Sequence, residues 1–138
     1  MNSNANELAK LITASEFKAK EYAEDVVSGK VIANKWVKLE CQRFLDRLER
    51  IDTDPECPYF FDYKEVKKIN GLLALINYAT GFYAGEPVIK YMAGFQFFVI
   101  HNVFCLKYKE NNARVIEECI LLIARKAGRI CPYIEKSI

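Results

Sequence analysis

Cys119, Ile120, Leu121, Leu122 and Ile123 stand in an unbroken apolar row, and Arg125-Lys126-Ala127-Gly128-Arg129 follows almost at once. An apolar run of strand length, here Val115 to Ala124, suits a strand covered on both faces, as in parallel sheets. A buried strand that delivers the chain into a short, basic, glycine-containing turn is how nucleotide-binding α/β domains begin their phosphate site. The sequence therefore predicts a core strand over 115–124. In such domains a helix comes next, whereas here Pro132 stands three residues past Arg129 and the sequence stops at Ile138. Read as a parallel-sheet domain, the chain is unfinished.

Ahead of that run the pattern is helical. Phe17, Tyr22, Ala23, Val26 and Val27 recur at helical spacing between Ser15, placed as N-cap, and Gly29, just past the end. A second helix is predicted over 32–50, with Trp36, Val37, Cys41, Phe44, Leu45 and Leu48 on one stripe and Lys35, Lys38, Arg43, Asp46, Arg47 and Arg50 around the rest. Asp52 to Pro58, with two prolines, is a turn-rich joint. Asp62, with Glu65 three residues on, makes a capping-box-like start to a third helix through about Asn77. That helix is expected to bury Val66, Ile69, Leu72, Leu73, Leu75 and Ile76. Residues 81–87 read as a loop, 94–107 as a strongly apolar helix after a short extended piece, and 109–112 as a polar turn.

Composition narrows the function. A chain of 138 residues, 51% hydrophobic, has material for one real core. Twenty Lys and Arg against eighteen Asp and Glu are too balanced to name nucleic acid or membrane as partner. Phe95 to Leu106 is too short and too often interrupted for a membrane span, and the polar start Met1 to Asn6 lacks a secretory signal pattern. The five cysteines are odd in number and contain no C-x-x-C pair, so reduced, cytoplasmic thiols are expected rather than a disulfide framework or a zinc site. His101 lies within an apolar segment and reads as a packed core residue.

A phosphate loop works through backbone N–H groups, a Lys that reaches the β and γ oxygens, and a hydroxyl on Mg²⁺. Gly128 can supply the turn, but Arg129 fills the Lys position and Ile130 the hydroxyl position. From these residues alone, the favoured reading is that Arg125, Lys126 and Arg129 are the solvated end of a strand, with Gly128 as an ordinary turn glycine.

Four stretches, Tyr22 to Glu49, Pro58 to Asp62, Gly81 to Val88 with Gly94 to Phe98, and Ile123 to Arg129, together make the whole chain, more than this loop, resemble the large subunit of tailed-phage terminases of the terminase-1 type. Tyr22 to Val37, continuing into Cys41 to Glu49, looks like the family's opening segment, and Pro58-Tyr59-Phe60-Phe61-Asp62 is similar to its aromatic-Asp entry into the next helix. Gly81 to Val88 is similar to its glycine-rich approach, and Gly94-Phe95-Gln96-Phe97-Phe98 takes the place of its Pro-Trp-Gln-x-Phe motif. Ile123 to Arg129 resembles its phosphate loop, with the last two positions changed.

The resemblance covers about Tyr22 to Arg129. It implies a mainly α chain, with a helical lead-in over 1–88 and the start of a P-loop α/β ATPase core over 89–138, truncated after its first strand. It makes Gln96 an adenine-sensing glutamine and puts Arg125, Lys126, Gly128 and Arg129 at the nucleotide phosphates. For the family it implies ATP and Mg²⁺, and as partners phage DNA, the terminase small subunit and the portal or procapsid, in the host bacterial cytoplasm with no membrane. Without the Lys, the hydroxyl and the acidic residues that hold Mg²⁺, this chain is expected neither to hydrolyse ATP nor to need a cofactor. The tail after Arg129 departs from the family, as in a frameshifted or degraded prophage gene. The alternative is a stand-alone helical phage adaptor without nucleotide, its Trp36, Phe44 and Leu48 stripe packing a bundle and its segment from Phe95 to Phe104 docking a partner.

Overall fold

The computed structural model describes residues 2–121, and the protein over that span is mainly α-helical. In chain order the elements are α1 (Asn2–Ala14), α2 (Lys18–Ser28), α3 (Lys35–Thr53), β1 (Tyr59–Phe61), α4 (Tyr63–Leu75), α5 (Val88–Tyr91), α6 (Gly94–Cys105) and β2 (Leu106–Tyr108). Helix α6 is the pivot. A helix apolar all round has no solvent face and must be covered, and α6 accordingly buries Gln96, Phe97, Phe98, His101, Asn102 and Cys105. Most of the segment from Phe95 to Phe104 is thus buried or half-buried in the fold, while Phe104 is 44% exposed.

Two apolar clusters hold the elements on α6. The larger joins Ala19, Ala23 and Val26 of α2 to Cys41 and Phe44 of α3, with Phe61, Val66, Phe98, Cys105 and Leu106. At its centre the Phe44 ring meets Phe61 and Phe98 edge-on, with centroids 5.7 and 5.3 Å apart, the offset that ring quadrupoles favour. The smaller cluster, Ala74, Ile89 and Phe97, receives Leu8 and Ile12 from α1.

Local chemistry sets the boundaries. Gly29 closes α2 with φ of 89°, a left-handed C-cap that a side chain would strain. The Asn34 side chain accepts from the Val37 N–H at 2.9 Å and starts α3. Asp62 caps α4 by accepting from the N–H groups of Lys64 and Glu65, at 3.0 and 3.3 Å. It also receives the Lys107 ammonium at 3.1 Å, and Lys107 lies 3.5 Å from Glu65. Strands β1 and β2 pair antiparallel, Phe60 opposite Lys107, so the cap and the sheet reinforce each other. Burial alone would raise the Asp62 carboxyl, but the Lys107 ammonium and the backbone donors outweigh it and hold it below the usual range. Asp62→Ala is expected to cost about 1–2 kcal/mol, the range for a lost helix cap, read as a lower denaturation midpoint at unchanged slope. A midpoint within error of wild type would remove the cap from this account.

Several sequence expectations change. Helix α1 was not predicted, and Ser15 is not the α2 cap: it is buried, with its N–H donating to Leu11 O at 2.9 Å, and α2 begins at Lys18. Trp36 leaves the buried stripe of α3 and is 66% exposed. On α4 the buried face is Val66, Asn70 and Ala74, while Leu72, Leu75 and Ile76 face out. The apolar helix ends at Cys105, because Leu106 to Tyr108 is taken up by β2.

The predicted strand over 115–124 is not formed in its described part, 115–121, which is irregular and leaves Cys119, Ile120 and Leu121 exposed. A buried strand needs neighbours for its backbone N–H and C=O groups. The described residues offer this one only a backbone bond from Val115 N–H to Leu106 O, at 3.0 Å.

Candidate functional site

Helix α6 begins where it crosses α2. A Cβ on Gly94 would lie 3.2 Å from the Tyr22 ring, so glycine is what lets the two helices approach this closely. Beside the crossing an open cleft of about 450 Å³ is lined by Lys18, Glu21, Tyr22 and Asp25 of α2, Val31 and Ile32 of the next connection, and Ala93, Gly94 and Phe95. Burial, and then the nearby Cys41, raise the Tyr22 phenol above its ordinary value, which keeps it a neutral donor. Glu21 and Asp25 outnumber Lys18 on the α2 wall, which leaves it net acidic and poorly suited to phosphate but compatible with an uncharged base.

Gln96 sits three residues into α6. It is not a surface amide: it is 8% exposed, and its Oε1 accepts from the Ala93 N–H at 2.8 Å. This is the reciprocal half of a capping box, since Ala93 has no side-chain acceptor of its own. The bond fixes the plane of the amide and leaves its two N–H donors as what it can offer a ligand. Of the residues the sequence nominates, the structure places Gln96 alone. Arg125, Lys126, Gly128 and Arg129 lie outside the described residues, as do 122–124 of the predicted strand.

A second polar locus lies deeper. His101 Nε2 is 2.9 Å from Asn70 Oδ1, and Asn70 Nδ2 donates to Ile12 O at 3.2 Å, linking α6, α4 and α1. Since the Asn70 amide N–H₂ is turned to Ile12, its oxygen accepts, and the imidazole carries its proton on Nε2. Burial pushes His101 down to about 4, so the ring is neutral near pH 7. Its Nδ1 and the Asn102 Oδ1 are buried with no hydrogen-bond partner. A fully buried imidazole does not reach a ligand, so this locus is a core joint. Sequence reasoning missed Asn70, although its place between Val66 and Ala74, four residues from each, marks an amide on an apolar stripe.

The buried Cys41 and Cys105 thiols are not candidate nucleophiles at neutral pH. Burial, then Glu40, pushes Cys41 up to about 11, and burial, then Glu65 and Asp62, pushes Cys105 up to about 12. Among the described residues no group of three His, Cys, Asp or Glu side chains is placed to hold a metal ion, and no helix is long and apolar enough to cross a membrane. Comparison with protein-family models, curated proteins and solved structures gives no match.

Proposed function

We propose that the chain is the front part of a DNA-packaging motor subunit similar to the terminase large subunit, and that Gln96 senses the adenine of ATP from the start of α6. The placement of Gln96 carries this reading. Its oxygen is committed to Ala93 N–H, so its amide is held in a fixed orientation in the first turn of α6, next in sequence to Ala93, Gly94 and Phe95, which line the open cleft; Gln96 itself is buried and not part of that lining. The basic turn Arg125-Lys126-Ala127-Gly128-Arg129 is the proposed partner of the phosphates. Arg129 and Ile130 supply neither the compact ammonium nor the Mg²⁺-binding hydroxyl, so binding is proposed without turnover. DNA, the small subunit and the portal belong to the motor as a whole and come to this chain only by the resemblance.

Thermal unfolding with and without ATP and Mg²⁺ tests the reading, because a ligand that binds only the folded state stabilises it, by about 2.7 kcal/mol at a hundredfold excess over Kd. Gln96→Glu is the informative variant: its carboxylate still accepts from Ala93 N–H, but the two donors are gone. A rise in Tm with ATP and with adenosine, abolished by Gln96→Glu, is the expected result. An equal rise in wild type and variant would exclude Gln96 from the base, and no rise at all would end the nucleotide reading.

A further inference from the structure

Trp36, Leu39, Arg43, Arg47 and Arg50 follow one another at steps of three and four residues along α3, which places them on a single stripe. That stripe lies opposite the face that carries Cys41 and Phe44 into the core. At its N-terminal end Trp36 is 66% and Leu39 44% exposed, and Ile32, in the connection just before, is almost fully exposed. Large apolar side chains grouped on a helix exterior mark a contact surface more often than chance exposure does.

Charge around the stripe says what fits it. Arg43 is already paired with Glu40 at 2.7 Å, and Arg50 with Asp54 at 3.4 Å, while the Arg50 guanidinium also lies over the Tyr59 ring. Among the described residues, Lys30, Lys35 and Lys38 stand around the apolar end outside any ion pair, with Lys35 Nζ 4.8 Å from the Trp36 ring centre, and further along the stripe Arg47 is likewise outside any ion pair. A nucleic-acid strand would ask for free cations along the whole stripe and for several flat rings to stack its bases. This face has one ring, two aliphatic side chains and three arginines, two of which are paired within the chain. It matches instead a short apolar ridge with carboxylates on its flanks.

We propose that the Trp36–Leu39 end of α3 is a docking surface for an acidic amphipathic helix of a partner protein, whose apolar ridge packs on Ile32, Trp36 and Leu39 while its flanking carboxylates meet Lys30, Lys35 and Lys38. The inference does not rest on nucleotide binding at Gln96.

Trp36 is the single tryptophan of the sequence, so its fluorescence reports this face alone. The probe is a synthetic helix with leucines at i, i+3 and i+7 and glutamates on both flanks. Its controls are the same helix with lysines for the glutamates, and oligothymidylate. The expected result is a saturable blue shift with the glutamate helix only, with affinity reduced about tenfold or more by Leu39→Glu, as for the loss of an interface anchor. Leu39 is exposed enough that the variant keeps the wild-type Tm, which is measured alongside. No shift with the glutamate helix, or equal shifts with both helices, overturns the proposal, as does a response to oligothymidylate in its place.

Discussion

Between pH 6.5 and about pH 4, wild-type protein is expected to lose roughly 3 kcal/mol of stability that a His101→Gln variant does not lose. The imidazole titrates near 6.5 when the chain is unfolded and near 4 when folded. Each pH unit of that difference is worth about 1.36 kcal/mol. A depressed folded value means that the unfolded chain takes up the proton first, so the stability is complete above pH 6.5, falls as pH drops, and levels off below about 4. Geometry explains the size of the effect: His101 is fully buried, Asn70 occupies Nε2, Phe97 packs alongside, and a second proton would fall on an Nδ1 that faces no acceptor. Asp62 acts in the same direction, since its carboxyl is also held below the usual range. The quantity to measure is therefore the difference between variant and wild type across a series of urea melts. Parallel curves would mean that the ring is not the buried base described here.

The parts of the fold that were legible in the sequence are those fixed by local chemistry. Asp62 and Gly29 act where the capping rules put them, and the apolar stretch from Gly94 is a helix too hydrophobic to be anything but covered. What the sequence hid was decided by tertiary context. Helix α1 offers only Leu8, Leu11 and Ile12 in an asparagine-rich opening, and its docking on Ala74, Ile89 and Phe97 has no local signature. The run from Val115 reads as a buried strand from pattern alone, yet burial needs partner strands, and residues 115–121 find none among the described residues. At the candidate site, the sequence pointed to Gln96 without showing that its oxygen would be used to cap α6, a bond that depends on the backbone at Ala93. The pairing of Asn70 with His101 joins residues on two helices, so it became visible only in three dimensions.

The two large rings on α3 give the sharpest contrast. Phe44→Ala is expected to cost about 3–5 kcal/mol, the usual range for emptying an aromatic site in a core, whereas Trp36→Ala should cost under about 1 kcal/mol. Both sit in the same apolar pattern of the sequence. Phe44, however, is 1% exposed and is met edge-on by Phe61 and Phe98, so its removal opens a cavity at the junction of α3, β1 and α6 and forfeits both ring contacts. Trp36 keeps two thirds of its surface in water and gives up little beyond the contact with the Lys35 ammonium. A domain of this size is typically stable by only 5–15 kcal/mol, so Phe44→Ala should bring the unfolding transition close to ambient temperature, and Phe44→Leu should recover most of the loss by refilling the space. Denaturant midpoints for the three variants test the assignment. If Trp36→Ala destabilised as much as Phe44→Ala, the indole would belong to the core and the surface proposed for an acidic helix would not exist; if it leaves folding intact, that variant separates docking from stability.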